Sequence, residues 1–233
     1  MAPNPLRNQV EAVLEGEPIY NKNAIAIKKR SRRGYLMVKR AMDVVGAGLG
    51  LIVLSPLFLI ISILIKLENP TAPVFFYQMR VGKKEVQFKM YKFRSMVPNA
   101  EKLLDSLLDQ NEIEGAMFKM KEDPRITTVG RFIRRTSIDE LPQLWNVFIG
   151  EMSLVGPRPP LPREVAEYTS YDKQRLRVTP GCTGLWQVSG RNDLSFRQMV
   201  ELDLEYIQNR SISLDVRLIL QTVKVMLKSN NAY

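Results

Sequence analysis

The chain has 233 residues, a formal net charge of +10, no histidine and a single cysteine. The length predicts one domain with or without appendages, and 45% hydrophobic with 25% charged residues is typical of a globular protein. Imidazole bases, histidine metal ligands, internal disulfides and cysteine-rich zinc sites are therefore excluded. The positive charge predicts an anionic partner, which is nucleic acid, a membrane surface or a phosphorylated substrate.

The N-terminal region is strongly basic. Residues 1–21 are polar and aperiodic and predict a loose tail, whereas residues 22–40 contain eight basic side chains and no acidic one. Beside an apolar segment, such a cluster is expected on the cytoplasmic side of a membrane, where it attracts anionic lipid headgroups. A basic tail that is only solvated is the alternative.

An uncharged apolar segment runs from Val44 to Ile65. It is too deep in the chain and too long for a signal peptide, and it lacks the polar face of a core helix, so we predict a membrane segment. Pro56 interrupts helical hydrogen bonding at its middle, and the Ser55 hydroxyl is expected to satisfy the freed carbonyl. Two arms of about 16 Å each would form a re-entrant hairpin, whereas a kinked helix would span the bilayer. Hydropathy alone leaves both open.

The remaining residues predict a soluble-looking domain. Residues 73–96 predict two strands that meet at Gly82 and Lys83, with apolar alternation at Val86, Phe88 and Met90. Amphipathic helices are predicted for residues 98–110, 195–208 and 214–228. The last of these is apolar enough either to pack in the core or to lie on a bilayer surface.

The first chemically suggestive stretch places Asp139 and Glu140 side by side after three arginines. Pro142 predicts that a helix begins nearby. Because Ser137 and Glu140 have the spacing of a capping box, the acids can be interpreted as helix caps only. The alternative is a phosphate site, because helix amides favour anions and adjacent carboxylates beside phosphate imply a bridging Mg²⁺. A carboxylate can also attack phosphorus and form a covalent intermediate.

Two further stretches predict contacts to a ligand. Arg158 lies between prolines, which restrict its backbone and would hold its guanidinium ready for phosphate, although a rigid turn explains the same pattern. Residues 179–191 hold three glycines and an aromatic residue and predict a ligand-lining loop, or structural turns. Lys92 and Arg94 are either phosphate contacts or the exposed face of a strand.

Together these stretches resemble the bacterial sugar transferases, the monotopic phosphoglycosyl transferases. The resemblance runs from Lys39 to Tyr233. Its motifs are KRAMDVV, the Ser55-Pro56 break, YKFRSM, DPRITTVGRFIRRTSIDELPQLWNV, MSLVGPRPP, TPGCTGLWQVSGR, LDLEYI and LDVRLIL. It implies an α+β, mostly helical fold, in which an N-terminal re-entrant membrane helix-break-helix precedes a compact cytosolic catalytic domain with a small β-hairpin and amphipathic interfacial helices.

The resemblance also implies roles for individual residues. Asp139 is implied as the nucleophile and as the contact to Mg²⁺, and Glu140 completes the catalytic dyad. Ser55 and Pro56 match the break of the re-entrant helix. Substrate-binding residues are implied at Arg134, Arg158, Lys92, Gln187 and Arg191.

The implied reaction moves a hexose 1-phosphate from a UDP-hexose to a polyprenol phosphate such as undecaprenyl phosphate and releases UMP. It would be the first membrane step in making a bacterial surface polysaccharide such as an exopolysaccharide, capsule or O-antigen. Within the family, the sequence TGLWQVSGR favours glucose or galactose as the transferred sugar. Anionic lipids are implied as a further partner, and a homodimer is an open possibility. The larger members have extra transmembrane helices and a domain upstream, which this chain is expected to lack.

The implied chemistry also chooses between the two membrane topologies. UDP-sugars are made in the cytosol, so the domain after residue 66 and the basic N-terminal cluster are both expected on the cytoplasmic face of the inner membrane. Only a re-entrant segment satisfies both conditions. The predicted organisation is therefore a basic tail over 1–36, a re-entrant helix over 37–68 and a catalytic domain over 69–233.

Two other classes of protein remain as alternatives. A nucleic-acid-binding protein with a membrane tether would explain the charge, but no aromatic residues interleave with the basic cluster and no nucleic-acid motif occurs, so no nucleic-acid partner is expected. A membrane scaffold would use its acidic residues only as helix caps.

Overall fold

The computed structural model describes residues 33–104, 106–107, 120, 122–189 and 194–228. Over these ranges the fold is α+β and mostly helical, as predicted. The helices are α1 Arg33–Val53, α2 Ser55–Glu68, α3 Ala100–Leu104, α4 Thr128–Arg135, α5 Gln143–Ile149, α6 Pro162–Ala166, α7 Leu185–Ser189, α8 Phe196–Asn209 and α9 Ile212–Lys228. The strands are β1 Phe75–Val81, β2 Gln87–Phe93, β3 Ser153–Val155 and β4 Gly181–Thr183.

Helices α1 and α2 form a pair that bends by 57° at Leu54. The Ser55 hydroxyl donates to the Ile52 carbonyl at 2.7 Å. This is the carbonyl four residues before Pro56, which has no N–H to offer it, so the predicted role of Ser55 at the break is confirmed. Among the described helices none is both long and apolar enough to cross a membrane alone, but the bent pair passes that test of length and composition together.

The two sides of α1 have different surroundings. A Cβ atom added at Gly46 would lie 2.9 Å from Leu154 Cδ1, and one added at Gly50 would lie 3.0 Å from Leu144 Cδ1. The glycine side of α1 therefore lies directly against α5 and β3. The exposed apolar side chains of α1 and α2 are Leu36, Met37, Val38, Val45, Leu49, Ile52, Val53, Leu59, Ile60, Ile63, Leu64 and Leu67.

Two cations of the basic cluster bind partners in the folded domain. Lys39 Nζ is 3.0 Å from Asp215 Oδ2, and the Asp215 side chain has no exposed surface. Arg40 donates to the carbonyls of Val147 and Phe148 at 2.7 and 2.8 Å, at the C-terminal end of α5. The prediction that this cluster lies at lipid headgroups is thus wrong for Lys39, because a buried carboxylate binds it instead. Arg40 is exposed, so for this residue it stays a prediction. Most of the others precede α1, outside the described residues.

The predicted hairpin is confirmed. Strands β1 and β2 are antiparallel, and Arg80 pairs with Phe88. Phe88 and Met90 are buried as expected, but Val86 is 65% exposed. The inward alternation predicted at Val86 is wrong because this residue follows a 3₁₀ turn and precedes the first paired residue of β2.

A second, parallel pair of strands was not predicted. Ser153 pairs with Gly181, and Val155 with Thr183. The loop predicted over 179–191 is therefore wrong for most of its length, since β4 and α7 occupy it. Three-residue strands are too short to show a period of two, and the glycines that suggested a loop instead allow the backbones at Gly156 and Gly181 to touch.

Two of the predicted helices pack into one core. Helix α8 begins with a capping box between Ser195 and Gln198, and Leu214 and Leu218 of α9 are buried in the same hydrophobic cluster as Val200 of α8. The rest of α9 is more exposed at Val216, Leu220 and Val223. Of the helix predicted over 98–110, α3 confirms five residues, and half of the remainder lies outside the described residues.

The end of α2 is bonded to the beginning of α4. Glu68 accepts hydrogen bonds from the backbone N–H groups of Thr128 at 2.7 Å and Val129 at 3.3 Å. These amides have no partner within their own helix, and a carboxylate also interacts favourably with the helix dipole. The C-terminal end of the apolar pair is thereby attached to the helix that leads to Asp139.

We expect Glu68→Ala to lower the free energy of unfolding by about 1 kcal/mol, the usual effect of losing an N-terminal cap. In a domain of this size the melting temperature should fall by about 2–4 °C, measured on purified protein in detergent. Glu68→Gln keeps an acceptor without the charge and should lose less. Equal melting temperatures for wild type and Glu68→Ala would contradict the cap.

Candidate active site

A pocket of about 1610 Å³ opens between the hairpin and the segments that follow α4 and β3. Single small-molecule sites usually measure roughly 300–1,000 Å³, so this one has room for two substrates or one large one. Helices α7 and α9 and strand β4 complete its walls. Among the described residues, seven basic and three acidic side chains line it, which makes the pocket attractive to anions.

A tight turn between α4 and α5 carries the two carboxylates. Ser137 adopts a left-handed conformation with φ of 56°, and a single 3₁₀ turn follows over Ile138–Glu140. Pro142 then precedes α5, so the helix start predicted there is confirmed. The capping box predicted for Ser137 and Glu140 is wrong, because the Ser137 side chain makes no capping hydrogen bond. A left-handed non-glycine residue is energetically costly and is often found at functional sites.

Asp139 is buried, with 8% of its surface exposed, yet it lines the pocket. Burial raises the pKa of its carboxyl to about 6, with a further rise from Glu140, while Lys92 and Arg134 act in the opposite direction. The surrounding cations thus favour the charged form of a carboxylate that has lost most of its water. Such a group is a stronger base and nucleophile than an exposed one.

Glu140 differs from its neighbour in its electrostatic surroundings. Lys92 Nζ donates to Glu140 Oε1 at 2.6 Å, from the end of β2. Desolvation in the pocket acts to raise the pKa of Glu140, but the attraction and hydrogen bond of Lys92, helped by Arg158 and Arg80, outweigh it and lower that pKa. The two adjacent carboxylates therefore have pKa values shifted in opposite directions, an arrangement that gives them different chemical roles.

Arg158 is held by strands on both sides of it. The backbone N–H of Gly181 donates to the Pro157 carbonyl at 2.8 Å, and that of Val81 donates to the Pro160 carbonyl at 2.9 Å. The guanidinium carbon lies 6.0 Å from the centre of the Trp186 ring, within range of a cation–π interaction. The flanking prolines and these bonds keep the guanidinium at the pocket wall.

The structure brings the predicted site residues together. Asp139, Glu140, Lys92, Arg134, Arg158 and Gln187 all line this one pocket, although they come from five separate segments of the chain. Arg191 lies outside the described residues, and Ser55 and Pro56 are at the bend between α1 and α2 rather than in the pocket.

Some pocket residues were not predicted. Arg80 is buried on β1, and Thr183 and Thr222 meet with their hydroxyl oxygens 2.7 Å apart. Arg80 is a single basic residue in a strand, which no motif distinguishes. Thr183 belongs to the predicted glycine-containing stretch and was not singled out, whereas the inward position of Thr222 on α9 depends on tertiary packing.

The donor set suits a magnesium ion only in part. Among the described residues no cluster of three or more histidine, cysteine or acidic side chains is placed to hold a metal. Asp139 and Glu140 supply two carboxylates, and Lys92 occupies an oxygen of Glu140. Mg²⁺ usually takes one or two protein carboxylates and completes its shell with water and substrate phosphates. These two carboxylates would therefore hold Mg²⁺ only together with the phosphates of a ligand.

Residues 34–229 match the sequence profile of the family described as bacterial sugar transferase. The chain is 46% identical over 199 residues to "Galactosyl transferase CpsE" of Streptococcus agalactiae, a match that covers 85% of this chain and 44% of that protein. It is 44% identical over 211 residues to "Undecaprenyl-phosphate galactose phosphotransferase" of Salmonella typhimurium, covering 89% and 43%. It thus spans under half the length of these two relatives.

A third relative has a length similar to this chain. The "Exopolysaccharide production protein ExoY" of Rhizobium meliloti is 41% identical over 201 residues, which cover 84% of this chain and 88% of that protein. The region that matches the family profile includes all of the bent helix pair except Arg33, and every described residue of the pocket. The chain therefore belongs to the bacterial sugar transferase family.

Proposed function

We propose that the protein transfers a hexose 1-phosphate from a UDP-hexose to undecaprenyl phosphate, a polyprenol phosphate, and releases UMP. The observation that carries this proposal is a buried carboxylate, Asp139, in a large pocket that is otherwise mainly basic. Such a pocket attracts a diphosphate and places a nucleophile beside it. The names of the relatives, which include galactose transfer to undecaprenyl phosphate, agree with this chemistry.

The reaction proceeds by two displacements at phosphorus. In the first, an Asp139 oxygen bonds to the phosphorus next to the sugar, and the bond from that phosphorus to the bridging oxygen breaks, so that UMP leaves. In the second, a phosphate oxygen of the polyprenol attacks the same phosphorus and releases Asp139. The products are UMP and a polyprenyl diphosphohexose, and no outside proton donor or oxidant is needed.

The side chains around Asp139 bind and orient the substrates. Arg158 and Arg134 are the proposed ligands of the donor's phosphates, because a guanidinium offers paired donors to phosphate oxygens. Lys92 keeps Glu140 ionised, and the dyad of Asp139 and Glu140 then faces the donor. Gln187, and Arg191 outside the described residues, are proposed as further substrate contacts.

Asp139 is also the proposed protein ligand of Mg²⁺, together with the donor's phosphates. The ion would neutralise phosphate charge that otherwise repels the carboxylate. The basic side chains of the pocket do the same from the protein side, so the repulsion is reduced in two independent ways.

The experiment that tests the function is an assay of UMP release in detergent. Purified protein is given undecaprenyl phosphate and a panel of UDP-sugars, with and without Mg²⁺. We expect release with UDP-glucose or UDP-galactose that depends on Mg²⁺ and forms a lipid-linked sugar. A scaffold or a nucleic-acid-binding protein would release no UMP with any sugar, and that result would overturn the proposal.

We place the protein at the cytoplasmic face of the bacterial inner membrane, with the bent pair of α1 and α2 as a re-entrant segment. Three features support this placement: the bend of 57°, the satisfied carbonyl at Ser55, and the exposed apolar side chains along both arms. A re-entrant pair also leaves the domain after Glu68 on the side where UDP-sugars are made.

Replacing Ser55 and Pro56 with leucines is expected to straighten the pair and drive one terminus across the membrane, because proline no longer interrupts the helix. The measurement is labelling with an impermeant thiol reagent on spheroplasts. Probe cysteines are placed at Asn8 and Ser229 in a Cys182→Ser background, after its UMP release has been compared with that of the wild type.

Both probes should be protected in the parent protein, and one of them should label in the double leucine variant. Labelling of either probe in the parent, before any change at the bend, would contradict the re-entrant topology. Protection of both probes in the leucine variant would show that the break does not determine the topology.

A further inference from the structure

Arg80 is a buried cation that forms no ion pair with another described residue of the protein. It lies on β1, is 5% exposed and lines the pocket. Among the described residues no carboxylate lies within ion-pair distance of it. Removing a charge from water without a bonded counter-ion is costly. A neutral donor would serve a purely structural hydrogen bond at lower cost.

The bonds of Arg80 point to the segment that carries Arg158. Arg80 Nη1 donates to the Pro159 carbonyl at 3.1 Å, and Nη2 donates to Gln78 Oε1 at 2.6 Å. Next along β1, the Val81 backbone N–H donates to the Pro160 carbonyl. Consecutive residues of β1 thus bind the two carbonyls that directly follow Arg158. The Arg80 guanidinium is the side-chain part of this clamp.

The two guanidinium groups are also electrostatic neighbours. Burial lowers the pKa of Arg80 to about 10, and repulsion by Arg158 is the next cause. Arg80 remains charged at neutral pH, and its charge and that of Arg158 both lower the pKa of Glu140. An anion bound at Arg158 therefore experiences both positive charges.

We propose that Arg80 is a positioning residue that acts through Arg158, by holding the Pro159 carbonyl and so keeping the Arg158 guanidinium at the site of the donor's phosphate. This inference rests on the proposed function, because it needs Arg158 to bind phosphate. It adds to the site a residue whose proposed role does not require contact with the substrate.

The test is a double-mutant cycle on UMP release, with kcat and KM for the UDP-sugar measured for each variant. Arg80→Met and Arg80→Lys are each combined with Arg158→Lys, which keeps a cation at the pocket. If Arg80 acts through Arg158, Arg80→Met should lower kcat/KM by about tenfold or more in the wild type but by less than about threefold in Arg158→Lys. Arg80→Lys should retain more activity than Arg80→Met, since an ammonium can still donate to the Pro159 carbonyl.

A matched control is Lys89→Gln on the same hairpin. Lys89 is exposed, lies over the Tyr77 ring and does not line the pocket, so this variant removes one cation without touching the clamp. It should keep wild-type kinetics. Melting temperatures of all variants are the control for folding. If Arg80→Met does not fold, the double-mutant cycle is measured with Arg80→Lys instead.

Equal losses for the Arg80 variant in both backgrounds would mean that the two arginines act independently, and the positioning role would be wrong. Wild-type kinetics in both Arg80 variants would overturn it as well. Wild-type activity in Arg158→Lys and Arg158→Ala, by contrast, would remove the proposed phosphate contact itself. The failure of the proposed function and the failure of this inference are therefore distinguishable.

Discussion

Replacing Asp139 with asparagine is expected to abolish turnover, with UMP release falling by roughly 10⁴-fold or more, the scale of losing a nucleophile. Asparagine has the same shape and fits the buried position, but its amide cannot attack phosphorus at a useful rate. Mass analysis of wild-type protein incubated with UDP-sugar alone should find a phosphosugar adduct on Asp139. The adduct should be absent from the Asp139→Asn variant.

The matched control for this substitution is Asp172→Asn. Asp172 accepts hydrogen bonds from Thr169 and lies outside the pocket, so this variant should keep wild-type turnover. Glu140→Gln should be severely impaired, because it removes the charge that pairs with Lys92 beside the nucleophile. Turnover close to the wild type in Asp139→Asn would contradict the assignment of Asp139 as the nucleophile.

Truncation of Arg158 to alanine is expected to cost about 2–4 kcal/mol of transition-state stabilisation, which is a loss of roughly 30- to 1000-fold in kcat/KM. The guanidinium is held by bonds on both sides of its residue and by the Trp186 ring, so it is oriented before the substrate arrives. The loss of a hydrogen-bond donor that is already oriented removes a large part of the transition-state stabilisation. The measurement is steady-state UMP release at varied UDP-sugar.

Arg158→Lys should recover only part of this loss. An ammonium keeps the charge but cannot offer two parallel donors to one phosphate. Full recovery by lysine would mean that charge alone matters at this position, and the bidentate contact would be wrong. The melting temperature of each variant is the control for folding, because Trp186 loses a neighbour in both.

The features that sequence predicted correctly are those encoded over a few neighbouring residues. The hairpin follows from alternation at Phe88 and Met90, and the bond at the helix break follows from Ser55 directly preceding a proline. The start of α5 follows from Pro142. In each case the partner atoms are close in the chain, so a local pattern is sufficient to indicate them.

The features that sequence missed depend on distant partners. The composition of the basic cluster gave no sign that Lys39 pairs with a carboxylate 176 residues away. Glu140 has the spacing of a helix cap, but Lys92, 48 residues earlier, binds it instead. Arg80 has no motif around it, and its proposed role in positioning Arg158 depends on its bond to the Pro159 carbonyl, which only the fold brings near.

The pairing of Lys39 with Asp215 also has a consequence for how the protein is made. Helix α1 leaves the ribosome long before α9, since at roughly 5–20 residues per second the intervening 176 residues take on the order of 10–35 s to synthesise. During that interval Lys39 and Tyr35, which both bind Asp215 in the folded protein, are without this partner. The apolar helices α1 and α2 therefore leave the ribosome well before the junction between α1 and α9 can close.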